Sequence, residues 1–131
     1  MECYVSEIPK DLLYTEDHEY LKPDGDGVVA IGITDFAQGE LGDIVFIELP
    51  KVGAKFKKHE VFGTIEAVKA VSELFAPVSG EIVAINDRLD GEPALVNSSP
   101  YGDGWMVKMK LADESERSAL LDAAAYSAKV G

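Results

Sequence analysis

Up to about residue 110, the 131-residue chain alternates apolar and polar positions in short runs divided by Gly and Pro. Runs of that kind predict strands, because successive side chains on a strand point to opposite faces. The clearest is 27–33 (GVVAIGI), β-branched and set off by the turn-like PDGDG at 23–27. Further strands are expected at 44–49 (IVFIEL), 61–68 (VFGTIEAV), 71–76 (VSELFA), 80–86 (GEIVAIN) and 104–110 (GWMVKMK). Thr34 stands where an N-cap would open a short helix, TDFAQGEL, closing near Gly39 or Gly42. The tail changes period. From Asp113 to Lys129 there is no Gly or Pro, and Leu120, Leu121, Ala124, Ala125 and Ala128 follow helical spacing, with a break expected near Asp122. Gly42, Gly53, Gly80 and Gly104 fall at strand starts or turns, where a positive φ is often required.

An internal repeat organises these strands. Gly42-Asp43-Ile44-Val45-Phe46-Ile47 reads against Gly80-Glu81-Ile82-Val83-Ala84-Ile85 at an offset of 38, and Gly53 falls on Gly91 at the same offset. Phe62-Gly63-Thr64-Ile65 runs roughly parallel to 104–107. The pattern predicts two similar β-units packed as a pseudo-symmetric sandwich, joined by the connection at 66–73.

That connection reads Glu66-Ala67-Val68-Lys69-Ala70-Val71-Ser72-Glu73. The chain must reverse near 68–71, yet it uses none of the Gly, Pro, Asn or Asp of tight turns. Lys69, the only Lys or Arg between Lys58 and Arg88, holds the tip. On spacing alone a solvated turn lysine accounts for this. A functional constraint also accounts for it, since local breaches of turn chemistry collect at functional positions. A lysine on a hairpin joining matching half-domains is the arrangement of biotinyl and lipoyl carriers. There a modifying enzyme must reach the amine and the finished arm must swing. The neighbours Val68 and Ala70, in place of the Met pair typical of biotin carriers, favour lipoyl.

Composition narrows the classes further. Acidic residues number 24 against 12 basic ones, a net charge of −12, and 47% of residues are apolar. The chain can bury a core, and it lacks the clustered Lys and Arg that grip a phosphate backbone or an anionic membrane. Cys3 alone allows no intrachain disulfide and no cysteine zinc site. No apolar run approaches a membrane span, and the N-terminus shows neither a signal core nor a transit-peptide character. The expectation is a cytoplasmic, bacterial-type protein. His18 beside Glu19 suggests acid–base work, but no second histidine or cysteine completes a constellation, so a structural role is preferred.

Four blocks then carry a resemblance: YTEDHEY (14–20), GITDFAQGELGDIVFIELPKVG (32–53), FGTIEAVKAVSELFAPVSGEI (62–82) and LVNSSPYGDGWMVKM (95–109). In this order they closely resemble the H-protein family of the glycine cleavage system, and the third matches its lipoyl-attachment signature with Lys69 at the modified position. The resemblance implies a mainly β fold, the lipoyl/biotinyl-type hammerhead β-sandwich (a barrel-sandwich hybrid) of two pseudo-symmetric halves, with short helices and a C-terminal helical segment. It implies one carrier domain over 1–131, with an N-terminal extension 1–13, a β-sandwich core 14–110 and a helical tail 111–131.

The implied function is that of a non-catalytic, monomeric shuttle with lipoate bound covalently to Lys69. The arm would be loaded with the aminomethyl group of glycine by a PLP-dependent glycine decarboxylase and unloaded by a tetrahydrofolate-dependent aminomethyltransferase. A dihydrolipoamide dehydrogenase using FAD and NAD would reoxidise it, and a lipoate–protein ligase or an octanoyltransferase would install it. The alternative is a relay protein passing lipoyl groups to 2-oxoacid dehydrogenases. Glu66 and Glu73 are candidates for recognition by the modifying enzyme, or are simply solvated. Glu19 and Glu73 match positions of a family cleft into which the loaded arm folds, where a carboxylate would hold a cationic amine. Asn97-Ser98-Ser99-Pro100-Tyr101-Gly102 resembles a loop expected to contact the arm or a partner, and Trp105 is expected in the core or the cleft wall. Departures from the family are Ala67 for Ser, Tyr20 for Trp and Phe36 for His, the last removing a polar group near the cleft.

Overall fold

The alternating segments fold into two antiparallel sheets that share one core. The computed structural model describes residues 12–15, 18–23, 27–112 and 120–130. In chain order the strands are β1 (Leu13–Tyr14), β2 (Glu19–Pro23), β3 (Val28–Ile33), β4 (Ile44–Glu48), β5 (Lys55–Phe56), β6 (Val61–Ala67), β7 (Val71–Phe75), β8 (Gly80–Ile85) and β9 (Val107–Leu111). The larger sheet runs β1-β2-β3-β9-β8-β5 and the smaller β4-β6-β7. Neither sheet closes into a barrel, and the arrangement is the lipoyl-type β-sandwich expected. Ile31, Ile82 and Met109 from the large sheet meet Ile47, Ile65 and Leu74 from the small one in the main core. β9 shows the driving pattern: Val107, Met109 and Leu111 are buried while Lys108 and Lys110 turn outwards.

The two halves of the repeat place equivalent strands in different sheets. β4 pairs with β6 and β8 pairs with β9, each with a register shift, between Ile44 and Phe46 in one and between Ile82 and Ala84 in the other. The two bulges are 38 residues apart, matching the sequence offset. A bulge puts two residues opposite one and re-aims the side chains there. Beyond β4 and β8 the halves diverge: 49–60, with the short β5, leads to β6, whereas 86–106 leads to β9 and carries helices α2 (Arg88–Gly91) and α3 (Leu95–Ser98).

Helix α1 (Asp35–Leu41) forms as expected, with the Thr34 hydroxyl accepting from the Ala37 N–H and Gly42 closing it. Three expectations need correction. The strand expected from Gly104 begins only at Val107, because 101–104 form a turn in which the Gly104 N–H donates to the Ser99 carbonyl. In the tail, Leu121 makes a two-way backbone bridge with Tyr14, so helix α4 (Ala123–Val130) starts after Asp122, whose carboxylate accepts from the Ala125 N–H. The preceding stretch 113–119, like Cys3 and the extension through residue 11, lies outside the described residues. Third, positive φ holds at Gly42 and Gly53 but not at Gly80 or Gly104. At Gly80 the reason is close packing: a Cβ there would stand 2.3 Å from the Lys110 carbonyl oxygen. Short sequence elements were missed for want of periodicity: β1, β2, β5, α2 and α3 are two to five residues long.

No helix among the described residues is long and apolar enough to cross a membrane. Tyr14, Tyr20 and Tyr126 build a second, smaller core with Leu12 and Ala123, which seats α4 against the sheet edge.

Candidate functional site

The hairpin tip shows why an unconventional turn sequence works. Residues 68–70 connect β6 to β7 without any positive φ, so neither Gly nor Asn is required. The Ala67 N–H donates to the Ala70 carbonyl at 2.8 Å, and the Val68 N–H donates to the Asp43 carbonyl at 2.9 Å. The second bond ties the tip to the turn between α1 and β4. Lys69 itself is exposed. Its methylenes lie 3.3–3.4 Å from where a Cβ on Gly42 would stand, so the side chain leans across the end of α1. Gly42 adopts φ 81°, ψ −157°, a region open essentially to glycine alone. This residue therefore serves both the backbone and the lysine.

A cleft of about 170 Å³ runs between α1 and β7. Phe36, Ala37, Glu40 and Leu41 line one wall, Ser72, Glu73 and Leu74 the other, and His18, Glu19, Ile33 and Ile65 complete it. Leu41 belongs to the cleft and the next residue lies under Lys69, so the cleft opens beside the lysine. Its walls combine apolar side chains with three carboxylates, those of Glu19, Glu40 and Glu73. Such a cavity suits a slender apolar chain ending in a cationic or hydrogen-bonding group.

The acidic residues are not equivalent. Glu19 is 2% exposed, and its Oε2 accepts the Phe75 N–H at 2.7 Å. That bond links β2 of the large sheet to the end of β7 in the small one. Glu40 and Glu73 are exposed at the rim. Glu66 lies outside the cleft, on the outward face of β6 opposite Phe46 and Val71. The two glutamates flanking the hairpin thus separate, one to the cleft and one to the outer surface.

Support comes from residues remote in sequence. The Asn97 side chain accepts from the Ile44 N–H at 2.8 Å and donates to the Gly42 carbonyl and Gln38 Oε1, each at 2.9 Å. At the other end of α1 the Asp35 N–H donates to the Tyr101 hydroxyl at 2.9 Å. Behind it the Tyr20 hydroxyl donates to the Pro100 carbonyl. The 97–102 loop is therefore a splint along α1, and none of its residues lines the cleft. His18 lines the end of the cleft and is held from behind by a tyrosine. It has φ 64°, and its Nδ1 lies 2.8 Å from the Tyr126 hydroxyl, which is 2.7 Å from Thr34 Oγ1. Through Tyr126, α4 is fastened to both the N-cap of α1 and the end of the cleft. Burial pushes the Tyr126 hydroxyl pKa up, and the Thr34 hydrogen bond partly opposes this. Burial first, and then nearby Tyr101, raise that of Tyr20.

This lysine, hairpin and cleft can be set beside known proteins. The chain matches the family described as "Glycine cleavage H-protein" over residues 12–131. A glycine cleavage system H protein of Prosthecochloris aestuarii is 60% identical over 125 residues, covering 95% of this chain and 98% of the relative. One from Bacillus mycoides is 58% identical over 120 residues, covering 92% and 94%. The crystal structure of a glycine cleavage system H protein from Mycobacterium marinum superposes with a TM-score of 0.87 at 39% identity, covering 95% of this chain and 99% of that one. The chain belongs to the glycine cleavage H-protein family. As a member it is a carrier component that works with the other proteins of that system. The relay alternative is not favoured, since these relatives are named for glycine cleavage.

Within this H-protein frame, Phe36 lines the cleft as anticipated, its ring 5.0 Å from that of His18. Trp105 does not line it, and Lys108 Nζ sits 5.1 Å over its ring instead. Sequence reasoning missed Glu40, Ser72 and Tyr126, and it named Asn97 only as part of a loop, without its bracing role. For Glu40 a signal existed, since it falls four residues after Phe36 on a helix already expected and so shares its face. No group of three or more His, Cys, Asp or Glu among the described residues is placed to hold a metal ion.

Proposed function

We propose that this chain is a single, non-catalytic lipoyl-carrier domain. It shuttles the aminomethyl group of glycine from the PLP-dependent decarboxylase to the tetrahydrofolate-dependent aminomethyltransferase, with lipoate in amide linkage on Lys69. The observation that carries the reading is one exposed lysine on a braced hairpin tip, opening onto an acid-rimmed apolar cleft. Bound there, a lipoyl group would supply a dithiolane, a redox-active acceptor for the aminomethyl unit that dihydrolipoamide dehydrogenase could reoxidise.

The chain's own residues do the positioning. The Ala67–Ala70 and Val68–Asp43 backbone bonds hold the tip, so the Lys69 amine is offered from a fixed point. Gly42 leaves room for the methylenes to lie down towards the cleft. Phe36, Leu41, Ile65 and Leu74 give an apolar bed that excludes water from a chain lying there. Glu19, Glu40 and Glu73 offer carboxylates to an amine at its end, with Glu19 held in place by the Phe75 amide. Glu66 and Glu73, on the two strands leaving the tip, are contacts for the lipoate–protein ligase or octanoyltransferase that modifies Lys69. The chain acts as a monomer in the cytoplasm.

The test is the intact mass of protein made in a lipoate-competent host. One lipoyl increment is expected on the wild-type chain and none on Lys69→Arg, which keeps the charge but forms no such amide. An unmodified wild-type chain under every lipoylating condition would sink the proposal.

A further inference from the structure

Beside Lys69 the outward face of the small sheet carries side chains that neither the cleft nor the core uses. The register aligns Phe46, Glu66 and Val71 in one cross-strand row and sets Glu48 opposite Thr64 in the next. Phe46 is 46% exposed, Val71 65% and Val68, next to Lys69, 72%. The bulge at Val45 turns that residue out as well, at 55%. Four of the seven large apolar side chains most exposed among the described residues thus gather around one hairpin. An apolar patch edged by charge marks a protein contact, and an exposed aromatic at its centre is a common anchor. Lys69 is the sole Lys or Arg between Lys58 and Arg88, so the rim of this face is acidic.

We infer that this Phe46–Glu66–Val71 face is the docking surface for the enzyme that acylates Lys69, a partner presenting an apolar hollow flanked by Lys or Arg. The inference rests on the carrier reading above and deepens it. Reach selects the occupant. An enzyme acting on the ε-amine must bring its active site within one lysine side chain of the tip, where exposed Val68 and Val71 begin this face. Enzymes acting on the far end of a finished arm can stay an arm's length away. The carboxylates of Glu48 and Glu66 complement a basic rim and speed encounter, while Phe46 and Val71 supply the desolvated contact. In the step itself the uncharged Lys69 Nζ attacks the carbonyl of an acyl adenylate. The N–C bond forms, the C–O bond to phosphate breaks, AMP leaves with the electron pair, and the amine proton passes to solvent.

The experiment measures initial rates of acylation of the full apo chain by a lipoate–protein ligase with lipoate and ATP, read by intact mass. Phe46→Ser and Val71→Ser are each expected to raise KM for the chain about tenfold with kcat little changed. Phe46→Leu should recover most of the loss, and thermal melts should match wild type. Val83→Ser is the control, since Val83 is the bulge residue of the other half, 39% exposed and away from the hairpin. Wild-type kinetics in both serine variants overturn the inference while leaving the carrier reading intact. So does normal acylation with slowed loading by the decarboxylase, which would assign the face to an arm-using enzyme. A dimer of the apo chain that Phe46→Ser dissolves would assign it to a second copy and likewise overturn it. If the wild-type chain accepts no acyl group, the carrier reading falls and this inference with it.

Discussion

The two halves of the repeat begin alike and end differently, and the contrast explains how the site is built. Each starts Gly-acid-Ile, and each bulges at the same step, Val45 in one and Val83 in the other. In the first half β4 reaches β6 through the short 49–60 connection, and β6 then turns at once into β7, a hairpin whose tip exposes Lys69. In the second half the return to β9 is delayed by α2, α3 and the 97–102 loop. Asn97 and Tyr101 of that longer connection brace both ends of α1, and Asn97 holds the turn that the tip leans on. One half presents the lysine and the other supplies its buttress. A duplicated frame thus needs only one extended connection to make the two copies do different work.

Substitutions at equivalent glycines break this comparison most sharply. Gly80→Ala drives a Cβ to 2.3 Å from the Lys110 carbonyl, a backbone atom in the sheet centre. We expect a loss of about 3 kcal/mol or more in chemical denaturation, or failure to fold. Gly42→Ala meets only the flexible Lys69 methylenes at 3.3 Å and a strained φ. There the expected loss is about 1–3 kcal/mol, with the fold retained. Equal losses at the two positions would mean that the halves are packed alike after all.

Removing the brace should rank next. Asn97→Ala leaves the Ile44 amide and the Gly42 carbonyl without their side-chain partner, at about 1–3 kcal/mol. Hydrogen exchange should quicken at Ile44 and Val68 more than along β8 and β9. Uniform quickening would show that Asn97 supports the whole sandwich and not the tip alone. Glu19→Ala, which removes the acceptor of the Phe75 N–H between the sheets, is expected to cost a similar amount. Glu19→Gln keeps a carbonyl acceptor and should recover much of that loss in a thermal melt.

Smaller effects follow from titration and screening. Tyr20 and Tyr126 both have hydroxyl pKa values raised by burial. The folded state therefore holds protons that the unfolded chain releases near pH 10. Stability is intact below about pH 10 and falls as pH rises beyond it, by at most about 1.4 kcal/mol per pH unit for each group. Tyr126→Phe should flatten part of that alkaline slope, and an unchanged slope would show that Tyr126 does not contribute. Finally, a net charge of −12 should steer the chain towards basic partners, so arm loading by the decarboxylase should slow as salt rises. A salt-independent rate would remove steering from the account.

Much of the frame was legible because it rests on local rules. Period-2 alternation announced β3, β4, β6, β7 and β8, and Thr34 announced α1. Matched blocks singled out Lys69 and brought Glu19 and Glu73 into view, and both glutamates line the cleft. What escaped was short or non-local. β1 is only two residues long, and Asn97, Tyr101 and Tyr126 act on partners 53, 66 and 108 residues away.

By itself, then, the sequence determined the sandwich, its duplication and the position of the one lysine at the tip. Alternation, glycine placement and chain reversal each depend on residues close in sequence. Only the tertiary structure decided that Glu66 faces outwards while Glu73 borders the cleft, that Glu40 joins them, and that the second half braces the first. Those outcomes depend on which sheet each strand joins and which distant amide or hydroxyl comes within hydrogen-bonding range. No local pattern encodes such distances.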